Sequence, residues 1–154
     1  MDRAVLLWMV PVNLLLVAWV WIGRMLFGVG GWMVLVYLIS IVPVLLLALL
    51  VTSVLALTQR PGPDGRRALT RPQTQAQLFV WAAMLVFGAF SFDFGDVEDS
   101  DTALLVKVLG DHEAVWAATM TIMVVAALTT VVAWIALVAT LTGARRRAAV
   151  PSEA

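Results

Sequence analysis

Four long apolar runs, separated by short charged islands, organise this chain. The first runs from Ala4 to Ile22 and is interrupted only by Pro11 and Asn13. The second spans Trp32 to Leu57 and contains Ser40, Pro43, Thr52 and Ser53. The third, Leu78 to Phe92, is the shortest, and Gln73, Gln75 and Gln77 before it extend its helix into the headgroup region. The fourth, Ala114 to Leu141, is longer than one crossing needs. A spanning helix takes about 20 apolar residues at about 1.5 Å each. None of the runs alternates as a barrel strand would, so helices are the spanning form. The predicted fold is all-α: four transmembrane helices at about residues 4–22, 32–57, 76–92 and 114–141, arranged up-down-up-down. Residues 1–144 form one domain, residues 93–113 an acidic outer loop, and residues 145–154 a short basic tail.

Composition supports a bilayer environment. Of 154 residues, 62% are hydrophobic and 13% charged, against about half and a quarter in soluble domains. A small globule cannot hide that much apolar surface. The Ala, Val and Leu bias, with one lysine, suits a GC-rich bacterial coding sequence. With no cysteine, disulfides and thiolate sites are excluded. The four-helix quinone-linked thiol oxidoreductases are excluded on the same ground. A basic residue before an apolar stretch imitates a secretory signal. The first run, however, ends in bulky Trp19 and Trp21 with no small-residue cleavage pattern, so a retained helix is expected.

The charges fall on alternating sides. Eight arginines (Arg3, Arg60, Arg66, Arg67, Arg71, Arg145, Arg146, Arg147) lie with three acids on one side. Arg24 and Lys107 lie with seven acids on the other. Short basic loops stay cytoplasmic, which predicts a multi-pass plasma-membrane protein with both termini cytoplasmic. Trp116 and Trp134 sit one core thickness apart, and Trp8, Trp32 and Trp81 lie near helix ends, as interfacial anchors would. Gly28-Val29-Gly30-Gly31 reads as a hairpin turn, because no strand precedes it and no Lys-Ser/Thr follows, as a phosphate loop requires. Residues 60–67, with two prolines and two glycines, read as an inner turn whose arginines can attract anionic headgroups.

Candidate chemistry is sparse. No acid, base or histidine falls mid-span. This argues against proton-coupled transport and intramembrane hydrolysis. Small four-helix multidrug exporters, similar to this chain in size and span count, carry a glutamate in the first helix where this chain has none. Asn13 is expected to bridge to a neighbouring helix. Pro43 frees the carbonyl of Ile39, which Ser40 is placed to satisfy, with a kink as the result. Thr119, Ala126, Ala133 and Thr140, with Thr130 beside them, form a small-residue seam at heptad spacing. Such a seam suits left-handed packing within the bundle or between subunits, with threonines bonding across it.

The acidic island, Asp93, Asp96, Glu98, Asp99 and Asp101, resembles a hard-cation ligand set in composition but lacks EF-hand spacing. Its natural counter-charge is Arg24. Ser100 or Asp101 is placed to cap a short surface helix over Thr102 to Leu109, and Asp111 to cap the fourth run. His112, the chain's one histidine, is the candidate pH sensor on the outer side.

Taken together, the expectation is a non-enzymatic accessory or scaffolding subunit with no cofactor. Its partners are the lipid bilayer and other membrane subunits, or a second copy through the fourth helix, and not nucleic acid. The alternative is a small oligomeric channel or transporter lined by Asn13, Ser40, Thr52, Ser53, Thr129 and Thr130, with an acidic outer mouth.

Overall fold

The computed structural model describes residues 3–61, 65–94 and 103–149, with the backbone alone for 145–149. The described residues form helices joined by short connections: α1 (Arg3–Ile22), a 3-10 turn (Gly23–Phe27), α2 (Met33–Ile39), α3 (Ile41–Leu57), α4 (Arg71–Phe90), α5 (Leu104–Leu109) and α6 (Glu113–Ala149). By length and composition, Arg3–Phe27 and Glu113–Ala144 are apolar enough to cross a membrane. The α2–α3 pair, bent by 41° at Ser40, makes a third if it is one span.

The bend has a local cause. Pro43 lacks the N–H that would bond Ile39, and α2 ends with the backbone N–H of Ser40 donating to Val36 O at 3.0 Å. The Ser40 hydroxyl also donates to Val36 O, not to the freed Ile39 carbonyl that the sequence assigned to it. Pro11 lies inside α1 without breaking it.

Helix α4 starts earlier than residue 76, and α6 ends later than Leu141. Thr70 opens α4 through a capping box in which its backbone N–H donates to Gln73 Oε1 at 2.9 Å. Pro72 stands in the first turn, where a missing N–H costs nothing. Arg71 and three glutamines keep α4 out of the set of strongly apolar helices. Gln73 and Gln77, however, are buried (1% and 0% exposed), so these polar groups face the protein and not headgroups. Helix α6 continues through Gly143 and Arg145–Arg147 to Ala149, 37 residues in all. Alanine and arginine favour helix, and cations suit a helix C-terminus.

Helix α4 is central. It packs on α1 and most extensively on α6, while α3 packs on α1. The buried face of α6 carries Thr119, Ala126, Ala133, Leu137 and Leu141. The threonines of the small-residue seam bond back to their own helix: Thr119 to Val115 O, Thr130 to Ala126 O and Thr140 to Leu137 O. The bond across the contact runs instead from Gln73 Nε2 to the Thr140 carbonyl at 3.4 Å.

Two apolar clusters fill the bundle. One gathers Leu16, Val17, Val20, Tyr37, Val42, Leu49, Val80, Met84 and Ala133. The other gathers Leu6, Met9, Ala56, Leu69, Ala76, Leu137 and Leu141. Close approach at the first cluster's end depends on glycine. A Cβ at Gly88 would lie 2.5 Å from Trp19 Cδ1, and one at Gly23 would lie 2.6 Å from its Cδ2. The Trp19 indole fits between the two glycines and donates to Leu85 O at 2.9 Å.

Replacing Gly88 by alanine is expected to displace Trp19 and lower stability by about 1–3 kcal/mol, the usual cost of overpacking. Thermal unfolding in lipid measures this. Adding Trp19→Leu to Gly88→Ala should recover part of the loss.

Candidate functional site

Between the two apolar clusters lies a polar node built on Asn13. The amide Nδ2 donates to Ser53 Oγ at 3.1 Å. Its Oδ1 accepts from Gln77 Nε2 at 3.2 Å and from Trp81 Nε1 at 2.7 Å. One side chain of α1 is thereby tied to α3 and twice to α4. Asn13, Ser53 and Gln77 are all buried. Two N–H groups point at the oxygen and a hydroxyl faces the nitrogen, so the amide has one sensible orientation. Gln77 Oε1, Thr74 Oγ1 and Gln59 Nε2 are buried with no hydrogen-bond partner among the described residues.

Other tryptophans also act inside the bundle. Trp134 Nε1 donates to Ala48 O at 3.0 Å and Trp21 Nε1 to Val34 O at 3.0 Å. Trp81 and Trp134, read from sequence as interfacial anchors, are hydrogen-bonded to neighbouring helices. An indole packs as a large apolar body and still donates one N–H, which suits a helix contact where water is scarce.

The second polar centre joins the two turns at the other end of α1. Arg24 is fully buried, and its Nε lies 2.8 Å from Asp93 Oδ2. Asp93 Oδ1 accepts the backbone N–H of Met33 at 3.0 Å and of Phe94 at 2.9 Å. The carboxylate therefore pairs the arginine and caps the start of α2 at once, where a negative charge is favoured. The guanidinium carbon lies 4.6 Å from the centre of the Tyr37 ring, a cation–π contact. Tyr37 donates its hydroxyl to Ser91 Oγ at 3.1 Å and stacks on Phe87. Among the described residues, Arg24 Nη1 and Nη2 have no hydrogen-bond partner. The Trp32 N–H donates to Phe94 O at 2.9 Å. A Cβ at Gly31 would lie 2.2 Å from that carbonyl oxygen, so only glycine fits there.

The remaining sequence candidates are dispersed. Asp93, the first acid of the island, is engaged as described. Asp96, Glu98, Asp99 and Asp101, with the proposed cap Ser100, lie outside the described residues. Among the described residues no three His, Asp or Glu side chains gather as a metal site. Helix α5 begins at Leu104 behind Ala103, with no side-chain cap. Lys107 on α5 donates to Gly28 O, docking that helix on the α1–α2 turn. The Asp111 carboxylate accepts from Trp116 Nε1 at 2.7 Å, and α6 opens with the backbone N–H groups of Val115 and Trp116 donating to the His112 carbonyl. His112 is exposed.

Of the six residues expected along a channel path, Asn13 and Ser53 meet. Ser40 is exposed and bonds its own helix. Thr52 is buried and donates to Leu49 O at 3.1 Å. Thr129 lies in an apolar groove between α4 and α6 with Phe79 and Ala126, and Thr130 turns back on its own helix. Set against known proteins, the chain matches no family model, no curated protein and no solved structure.

The buried pair gives a double-mutant test. Arg24→Met alone and Asp93→Asn alone should each cost about 3–5 kcal/mol, because each leaves an uncompensated buried partner. The double variant should cost less than the two losses added, as measured by unfolding in lipid.

Proposed function

We propose that this chain is a non-enzymatic scaffolding or accessory subunit of a membrane assembly, with α6 as its docking helix. The carrying observation is the exposure of α6. Only 17% of its most apolar window is buried. Val124, Leu128, Val131 and Ile135 form one strip, each more than half exposed. Their spacing of three and four residues is that of a helix face. The opposite, small-residue face is already occupied by α4. Inside the bundle, Asn13 bonds both Ser53 and Trp81, which favours a structural use of these groups over a transport path.

In this reading α1, the α2–α3 pair, α4 and α6 each cross the plasma membrane once. Both termini and the 58–70 connection are cytoplasmic, and α5 is on the outer side. The sign of the charged islands supports that orientation. The buried glutamines of α4 support a fourth crossing, since they lower its mean hydropathy without facing lipid.

The cysteine-free sequence makes the test direct. Single variants Leu128→Cys, Val131→Cys and Ile135→Cys should cross-link to a partner subunit or a second copy in native membranes. Leu47→Cys, equally exposed on α3, should not. No cross-link from any α6 position, with a clean monomer in native-lipid particles, would sink the proposal.

A further inference from the structure

Arg3 and Arg71 are the first residues of α1 and α4, and both are exposed. The two helices run parallel. Leu6 and Ala76 share one apolar cluster, Asn13 bonds Gln77 and Trp81, and Trp19 bonds Leu85. Arg3 stands ten residues before Asn13, and Arg71 stands six before Gln77 and ten before Trp81. At about 1.5 Å per residue, both arginines lie about 9–15 Å from the Asn13 node on the same side. The node is near the middle of the bundle, so they reach the edge of a hydrocarbon core about 30 Å thick. Packed helices stand about 8–10 Å apart, a gap that two arginine side chains span.

The positive charge at this end has no counterpart among the described residues. The described carboxylates, Asp93, Asp111 and Glu113, all belong to the opposite end. In the sequence eight arginines face three acids here, Asp2, Asp64 and Glu153, and all three acids lie outside the described residues. The chain's one lysine, Lys107, is at the other end, docked on Gly28 O. Arg3 and Arg71 open their helices, where the macrodipole disfavours a cation, so helix stability does not account for them. Guanidinium groups hold phosphate through paired N–H bonds, which a lysine cannot match.

We propose that Arg3 and Arg71 form a binding site for one anionic phospholipid, its phosphate diester held by both guanidinium groups and its acyl chains in the bilayer beside α1 and α4. Depth selects a lipid over free phosphate, because the edge of the hydrocarbon core is where lipid phosphates are concentrated. One shared phosphate answers two charges that the protein leaves exposed on neighbouring helices. The site rests on the crossing of α4 proposed above and does not depend on the α6 interface.

The test is native mass spectrometry of the full chain released from micelles that hold phosphatidylglycerol and phosphatidylcholine in equal amounts. One phosphatidylglycerol should be retained in preference to phosphatidylcholine by about tenfold or more. Arg3→Gln and Arg71→Gln should each lose most of that preference, and the double variant little more, since both arms hold one phosphate. Arg145→Gln, on α6, should keep it. Equal retention of the two lipids would overturn the site. So would a loss in Arg145→Gln as large as in Arg3→Gln, which marks a diffuse basic surface. Millimolar inorganic phosphate, added at constant ionic strength, should leave retention unchanged; displacement would assign the arginines to free phosphate and overturn the lipid. Phe79→Cys, exposed on α4, should resist a membrane-impermeant maleimide added from either side. Labelling would overturn the crossing of α4 together with the site, whereas protection without a lipid preference would overturn the site alone.

Discussion

A polar group removed from water must find its partner within the protein, and in this chain the interior depends on one such match, the Asn13 amide. In lipid, apolar packing alone gives helices little reason to prefer each other, because acyl chains are as apolar as leucine. Directional bonds and close fit then decide register. Asn13 supplies three bonds at one level of the bundle, to α3 and to α4. At about 0.6 kcal/mol each they are modest in strength. Their larger effect is negative: sliding any of the three helices leaves a buried amide, hydroxyl or indole without a partner, at about 1–3 kcal/mol per group. The two apolar clusters on either side are set by that register.

The Arg24–Asp93 pair does at the end of α1 what Asn13 does in its middle. It joins the turn after α1 to the segment after α4, and the same carboxylate fixes where α2 begins. A buried pair of this kind is a poor source of stability and a good source of uniqueness, since the alternatives all strand a charge. The Tyr37 ring and its Ser91 bond extend the centre to the C-terminal end of α4. Register in mid-bundle and closure at the end are thus held by separate polar centres, and the outer face of α6 remains apolar.

Much of this was legible in the sequence, but unevenly. The apolar runs located the helices, Pro43 located the bend, and Asn13 was recognisable as a helix bridge. Its partners were not. Gln77 and Trp81 read as headgroup and interface residues because averaged hydropathy places polar and aromatic groups at membrane edges. The missed signal was periodicity: Gln73, Gln77, Val80, Met84 and Gly88 repeat at three and four residues and form the buried face of α4. Arg24 was paired with the acidic island by charge alone. That Asp93 is the partner follows from the close Gly31–Phe94 approach, which is a three-dimensional fact with no local sequence mark. The threonines of α6 suggested bonds between helices, yet a hydroxyl within reach of its own preceding carbonyl takes that shorter route.

The central claim is that the Asn13 amide sets the bundle's register. The most direct test is the unfolding free energy of Asn13→Leu in lipid bicelles, set beside the parent chain. Leucine has the same branched skeleton of side-chain heavy atoms as asparagine and suits the bilayer better, so a purely apolar bundle would gain from it. The expected result is a loss of about 1–3 kcal/mol, because Ser53, Gln77 and Trp81 lose their common partner. Stability unchanged or raised would contradict the account.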